Sequence, residues 1–309
     1  MIKFYLSITL LSMSACADDL VKERASHKTV LIKRSAGQGG FTKAPTKIFK
    51  RIKYTSKIGK MAAYLSVHKS SKKKRPAIIW LTGGFPVSSP GSYLWEKTEI
   101  GNDQTARIYR QKGIVMMFPT LRGGIKGNPG VEERFYGEVD DVISAAKYLK
   151  SLSYVDPNRI YLGGHSTGGT LALLVAESTT LFKGILALGP VSLISHYGKE
   201  GVPFAWKDKE LYLRSPIFFL SGIKSTTYVV EGENGNASSI ADLRKKLKKK
   251  SNSKVRLAII KKATHFNGIY HVNKLFAEAI LASKDGRLSL KKKTIEECFI
   301  SYKSRKKKK

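Results

Sequence analysis

The residue types best suited to covalent chemistry lie in Gly163-Gly164-His165-Ser166-Thr167-Gly168-Gly169. A short apolar run, 159–162, precedes this segment, and a helix-forming run, 170–177, follows it. Gly-x-Ser-x-Gly between a strand and a helix predicts a turn so tight that only small residues can flank the serine, whose hydroxyl is pushed outward. The helix then aims its unpaired first-turn N–H groups at the same point, where they could hold an oxyanion. Ser166 is therefore the candidate nucleophile, and Thr167 the candidate donor of one oxyanion N–H.

A serine hydroxyl attacks poorly until a base takes its proton. With a turn of this kind the chain order is serine, acid, histidine, which leaves His196, His265 and His271 as bases. His265 follows the last expected strand, in Lys262-Ala263-Thr264-His265-Phe266, and so should lie at the nucleophile's end of the sheet. His271 reads as part of the closing helix, His196 as part of an insertion, and His165 as packing. The acid should follow the penultimate strand, in Tyr228-Val229-Val230-Glu231-Gly232-Glu233, where no aspartate occurs. Glu231 and Glu233 both stay open, with Asp208 the first alternative elsewhere. A second oxyanion donor should come from Thr82-Gly83-Gly84-Phe85, at Gly84 or Phe85.

These groups need a scaffold that delivers strand ends to one place. Runs at 48–54 and 61–67 flank Gly59 and predict a hairpin. Apolar runs at 77–81, 114–118, 160–162, 185–188, 228–230 and 255–260 predict buried strands. Between them, 104–111, 138–149, 171–176, 240–250 and 272–281 read as helices. Strands alternating with helices imply an α/β fold, a mostly parallel sheet covered on both faces, with an N-terminal hairpin. The less regular segment 191–225 would form a small cap, whose His196, Tyr197, Phe204, Trp206 and Tyr212 either line a pocket or pack the cap down. Residues 16–47 read as a polar tether or irregular lead-in, 48–283 as the catalytic domain, and 284–309 as a solvated basic tail with at most one short helix.

The stretch Glu138-Val139-Asp140-Asp141-Val142, Val155-Asp156-Pro157-Asn158-Arg159-Ile160 and Gly164-His165-Ser166-Thr167-Gly168-Gly169 resembles the α/β-hydrolase superfamily, in its prolyl-oligopeptidase-like and dienelactone-hydrolase-like branches. Arg122-Gly123-Gly124 is similar to a loop found there before the helix. The resemblance implies a serine hydrolase acting on esters or peptides without metal or organic cofactor. Two departures stand out: Thr82-Gly83 where that branch has His-Gly, and Gly232-Glu233-Asn234-Gly235 where it has Gly-x-x-Asp. About 75 residues precede the first expected parallel strand, too few for the β-propeller of the large relatives.

The N-terminus carries an address. Met1-Ile2-Lys3, an apolar stretch at 4–13 and Ser14-Ala15 read as a signal peptide, 1–15. Met13-Ser14-Ala15-Cys16 resembles a bacterial lipobox with Cys16 as the lipidated residue; an ordinary secretory signal and an uncleaved N-terminus are the alternatives. The first two imply export, to the cell envelope or beyond. The 309 residues carry 56 basic and 23 acidic side chains, a net charge of +33. That favours anionic membranes or envelope polymers as partners. No nucleic-acid-binding motif accompanies the lysine runs, so specific nucleic-acid recognition is not expected. Neither the histidines nor the cysteines fall at metal-site spacing. The leading expectation is an esterase-type serine hydrolase. A peptidase, and an inactive hydrolase fold serving as a basic binding protein, are the competitors.

Overall fold

The computed structural model describes residues 19–306, apart from 38, 70 and 71. The expected signal segment, 1–15, and Cys16 lie outside the described residues.

One eight-stranded sheet organises the chain, in the order β1-β2-β4-β3-β5-β6-β7-β8. β1 (Phe49–Ser56) and β2 (Gly59–Ser66) form the expected hairpin, and the turn uses Gly59 at φ +133°. β2 runs antiparallel to β4 (Val115–Pro119). From there β3 (Arg75–Leu81), β5 (Val155–His165), β6 (Gly184–Leu188), β7 (Thr226–Asn234) and β8 (Val255–Thr264) are all parallel. Every residue of β4 and β6 is buried, as a sheet covered on both faces requires.

Helices supply the two covers. On one face lie α1 (Leu20–Ala25), α3 (Glu138–Ser151), α4 (Thr167–Ala176) and α6 (Ala237–Lys249), through residues such as Leu20, Val139, Val142, Leu149, Leu173 and Ile240. The spacing 139, 142, 146, 149 puts one apolar stripe of α3 on the sheet. On the other face lie α2 (Ile108–Gln111), α7 (Ile269–Ala282) and α8 (Lys292–Lys306), through Tyr109, Val272, Phe276 and Ile295. A side chain such as Phe276, 0% exposed, contributes about 1.5–3 kcal/mol by its burial. A short α5 (Asp208–Tyr212) and several single turns make up 191–225. Among the described residues no helix is long and apolar enough to cross a membrane.

Three elements differ from expectation. The helix expected at 104–111 is confined to α2. Thr105 Oγ1 donates to Asp103 Oδ1 and accepts from Arg107 N (3.1 Å), and Ala106 takes φ +42°. Side chains that capture nearby backbone groups in this way compete with helix. The segment after 284 is docked rather than solvated: Leu288, Ile295 and Phe299 are buried, and Tyr161 O–H donates to Gly286 O (3.0 Å). The lead-in is also docked. Asp19 caps α1, Leu31 bridges to Phe204, and Glu132 N donates to Ser35 O. Buried Glu210 accepts from Val30 N (2.8 Å) and Thr29 Oγ1 (2.9 Å), while buried Arg214 donates to Glu210 and to Thr29 Oγ1 (2.7 Å).

Candidate active site

Ser166 stands between the last residue of β5, His165, and the first of α4, Thr167, at φ +56° and ψ −117°. A serine held there stores about 1–3 kcal/mol of backbone strain. The cost is carried by packing that no side chain could share. A Cβ on Gly164 would sit 2.3 Å from Gly168 O, and one on Gly168 would sit 2.2 Å from Leu81 O. Ser166 N donates to Leu188 O (2.8 Å), tying the turn to β6. Thr167 Oγ1 donates to Gly84 O (2.7 Å), so the turn containing Gly84 and Phe85 is pinned to the first turn of α4.

Two strand ends bring the candidate acid and the candidate base. β7 runs past Val230 and places Glu231, 2% exposed, beneath His265, the residue after β8. His265 Nδ1 and Glu231 Oε2 are 2.9 Å apart. Glu231 also accepts from Gly232 N (2.6 Å) and Asn236 N (2.9 Å). With those lone pairs filled, the ring can donate its Nδ1–H, which leaves Nε2 as the basic nitrogen. Gly189, at the end of β6, makes room: its Cβ would lie 2.5 Å from His265 Cε1.

The other sequence candidates go elsewhere. Glu233 is exposed and accepts from Lys262 N (2.8 Å). Asp208 is exposed at the start of α5. His196 Nδ1 lies 3.4 Å from Ser239 Oγ. His271 packs on Tyr302 and Phe299, and burial, with Lys274 nearby, pushes its pKa down to about 4. Of the five aromatic or histidine side chains singled out in 191–225, Tyr197 joins the site: its hydroxyl pairs with Thr170 Oγ1 (2.8 Å), one turn beyond Ser166. Phe204 and Trp206 stack on each other, and Tyr212 packs on Phe218 and Phe219. Among the described residues no hydrogen bond joins Ser166 Oγ to His265, and no group of three or more His, Cys, Asp or Glu is placed to share a metal ion.

Two features were not foreseen. His165, 1% exposed, is more than packing. Its Nε2 lies 2.9 Å from His265 O, and because a carbonyl only accepts, Nε2 carries the hydrogen. Nδ1 then accepts from Gln104 Nε2 (3.0 Å). Burial, and His265 beside it, push the His165 pKa down to about 4. The second feature is a strained pair, Arg134 (φ +49°) and Phe135 (φ +67°). Glu138 accepts from the N–H groups of Glu133, Arg134 and Tyr136 (2.7–3.1 Å), and Arg214 Nε donates to Arg134 O (2.8 Å). So clamped, Phe135 stacks on Tyr197 (5.7 Å between centroids), and both meet Phe85 edge-on.

Residues 102–280, more than half of the chain, match the prolyl oligopeptidase family. The chain belongs to that family. It is 30% identical over 157 residues to a probable dipeptidyl-aminopeptidase B of Aspergillus terreus, covering 48% of this chain but 16% of that protein. It is 31% identical over 123 residues to the acyltransferase drtE of Aspergillus calidoustus, covering 39% of this chain and 37% of that one. The chain thus spans well under half the length of these curated relatives. Among solved structures, Pyrococcus horikoshii acylaminoacyl peptidase superposes with a TM-score of 0.59 at 17% identity, covering 81% of this chain and 44% of that one. A Pyrococcus furiosus esterase superposes with a TM-score of 0.59 at 14% identity, covering 80% of this chain and 95% of that one. The shared architecture is the α/β-hydrolase fold expected from the sequence.

Proposed function

We propose that the protein is a serine hydrolase of the prolyl oligopeptidase family that cleaves esters, with peptide or acyl-peptide amides as the second reading. Ser166 Oγ attacks the carbonyl carbon while His265 Nε2 takes its proton. The resulting alkoxide is held by Thr167 N–H and by an N–H of Gly84 or Phe85. His265 then gives the proton to the leaving group, the acyl-enzyme forms, and water activated by His265 releases the acid and frees Ser166. Glu231 fixes the imidazole and stabilises its cation. The observation that supports this most is the 2.9 Å contact between Glu231 and His265 at the sheet end where Ser166 stands.

Ester cleavage is favoured by the likeness that runs along 95% of the Pyrococcus furiosus esterase. Amide cleavage draws on the names of the peptidase relatives. We also propose export, with Cys16 as a lipid-anchored residue and the charge of +33 drawing the protein toward anionic surfaces.

The test is turnover of short-chain p-nitrophenyl esters and of dipeptidyl and acyl-aminoacyl anilides by wild type, Ser166→Ala and His265→Ala. Loss in both variants with folding intact supports the serine mechanism, and the faster substrate class chooses between the readings. A fluorophosphonate that fails to label Ser166 overturns it. Radiolabelled fatty acid appearing in wild type but not in Cys16→Ala tests the anchor.

A further inference from the structure

We infer that Arg134 is a specificity residue, and that the substrate carries an anionic carboxylate on the part lying against Phe85. The inference rests on the catalytic reading above and adds the substrate class.

The Arg134 guanidinium lies 3.9 Å above the centroid of the Phe85 ring. Phe85 follows Gly84, whose carbonyl accepts from Thr167 Oγ1, so this ring is fixed next to the nucleophile's helix. Its other neighbour, Tyr197, is held by Thr170 in the same helix. Arg134 therefore stands at the mouth of the Ser166 site, on the aromatic wall.

Its two ends are treated differently. Nε donates to Glu132 Oε1 (3.0 Å), which fixes the plane of the group. Among the described residues Nη1 and Nη2 make no hydrogen bond, and the largely buried side chain keeps 10% of its surface exposed. A guanidinium anchored through Nε presents its outer N–H groups as a fork that matches a carboxylate. The backbone beneath it is in the left-handed region at two consecutive non-glycine residues, held there by buried Glu138 and buried Arg214. Strain retained under a double clamp at a site mouth points to function rather than accident. The net charge of +33 acts in the same direction, raising the local concentration of anionic substrate.

The test compares the p-nitrophenyl monoester of glutaric acid with neutral p-nitrophenyl pentanoate, in wild type, Arg134→Met, Arg134→Lys and Lys249→Met. Lys249 is an exposed residue of α6, and its loss removes the same unit of charge. Arg134→Met is expected to lower kcat/KM for the anionic ester by about tenfold or more, mainly through KM, and to leave the neutral ester within about threefold. Lysine should restore part of the loss, and Lys249→Met should change neither ester. An unchanged ratio of the two esters in Arg134→Met overturns the proposal, as does an equal loss on both. Fluorophosphonate labelling of Ser166 provides a readout without turnover. N-acetylphenylalanine should slow labelling of wild type more than its carboxamide does, and Arg134→Met should abolish the difference. Equal protection by the two overturns the proposal while Ser166 still labels; absence of labelling instead counts against the hydrolase reading.

Discussion

His165 donates a hydrogen bond from Nε2 to the main-chain carbonyl of His265, across 2.9 Å. The residue before the proposed nucleophile thus grips the backbone of the proposed base. Their rings are 4.6 Å apart, and Gln104 holds the far nitrogen. This bond ties the residue after β8 directly to the residue before Ser166, in addition to the strands that carry them.

Replacing His165 with phenylalanine keeps the bulk and removes the donor. The expected result is a 10- to 100-fold loss in kcat with KM little changed, because small misplacements of reacting groups carry costs of that order. Steady-state ester hydrolysis beside a thermal melt checks it. A variant that melts as wild type and turns over normally would show that the strands alone suffice.

Glu231→Gln and Glu233→Gln should separate cleanly. The first removes the carboxylate against His265 Nδ1 and is expected to lower kcat by about 10³-fold or more. The second removes a carboxylate that accepts from Lys262 N and is expected to stay within about threefold of wild type. Activity that survives in Glu231→Gln would return the acid to another residue.

Three imidazoles make stability depend on pH. Burial comes first in depressing His68, His165 and His271, each from 6.5 to about 4, and cationic or histidine neighbours add to it. The folded protein keeps them neutral where the unfolded chain would protonate them. Stability is therefore complete above about pH 6.5 and is lost as pH falls toward 4. Melting temperatures at stepped pH should decline over that window. A flat profile would mean that these rings are not held neutral.

Glu177 should act at the other end of the scale. It is 5% exposed, and among the described residues neither carboxyl oxygen has a hydrogen-bond partner. Burial raises its pKa well above the usual range, so the fold holds the neutral acid. Stability from this group is present at low pH and is lost as pH rises through the raised pKa. Glu177→Gln, uncharged at every pH, is expected to melt higher than wild type in alkaline buffer and nearly equally at acid pH. Parallel melting curves across that range would refute the assignment.

The strand-turn-helix around Ser166 was legible because it is local: its glycines are required by contacts within a few residues and by the adjoining strand edges. The position of His265 was legible because it directly follows the last strand. The choice between Glu231 and Glu233 was not, since residues two apart on a strand share a face. A shift in register between Gly232 and Asn234 separates them, leaving Glu233 to Lys262. The docked segment after 284 was hidden because Leu288, Ile295 and Phe299 are scattered among lysines. Arg134 and Phe135 gave no signal, because their backbone conformation depends on Glu138 and on Arg214, some 80 residues away. The docking of the irregular lead-in gave no signal for a similar reason: its partners, Glu210 and Arg214, lie about 180 residues downstream.

That docking shortens the leash. The chain is already committed to the protein's surface at Asp19, the cap of α1, only three positions after Cys16. At the fullest extension of a peptide, such a span reaches roughly 10 Å. Were Cys16 acylated, the hydrolase could not drift through its compartment on a long tether. It would ride against the bilayer, scanning what passes along that surface rather than what diffuses in the bulk.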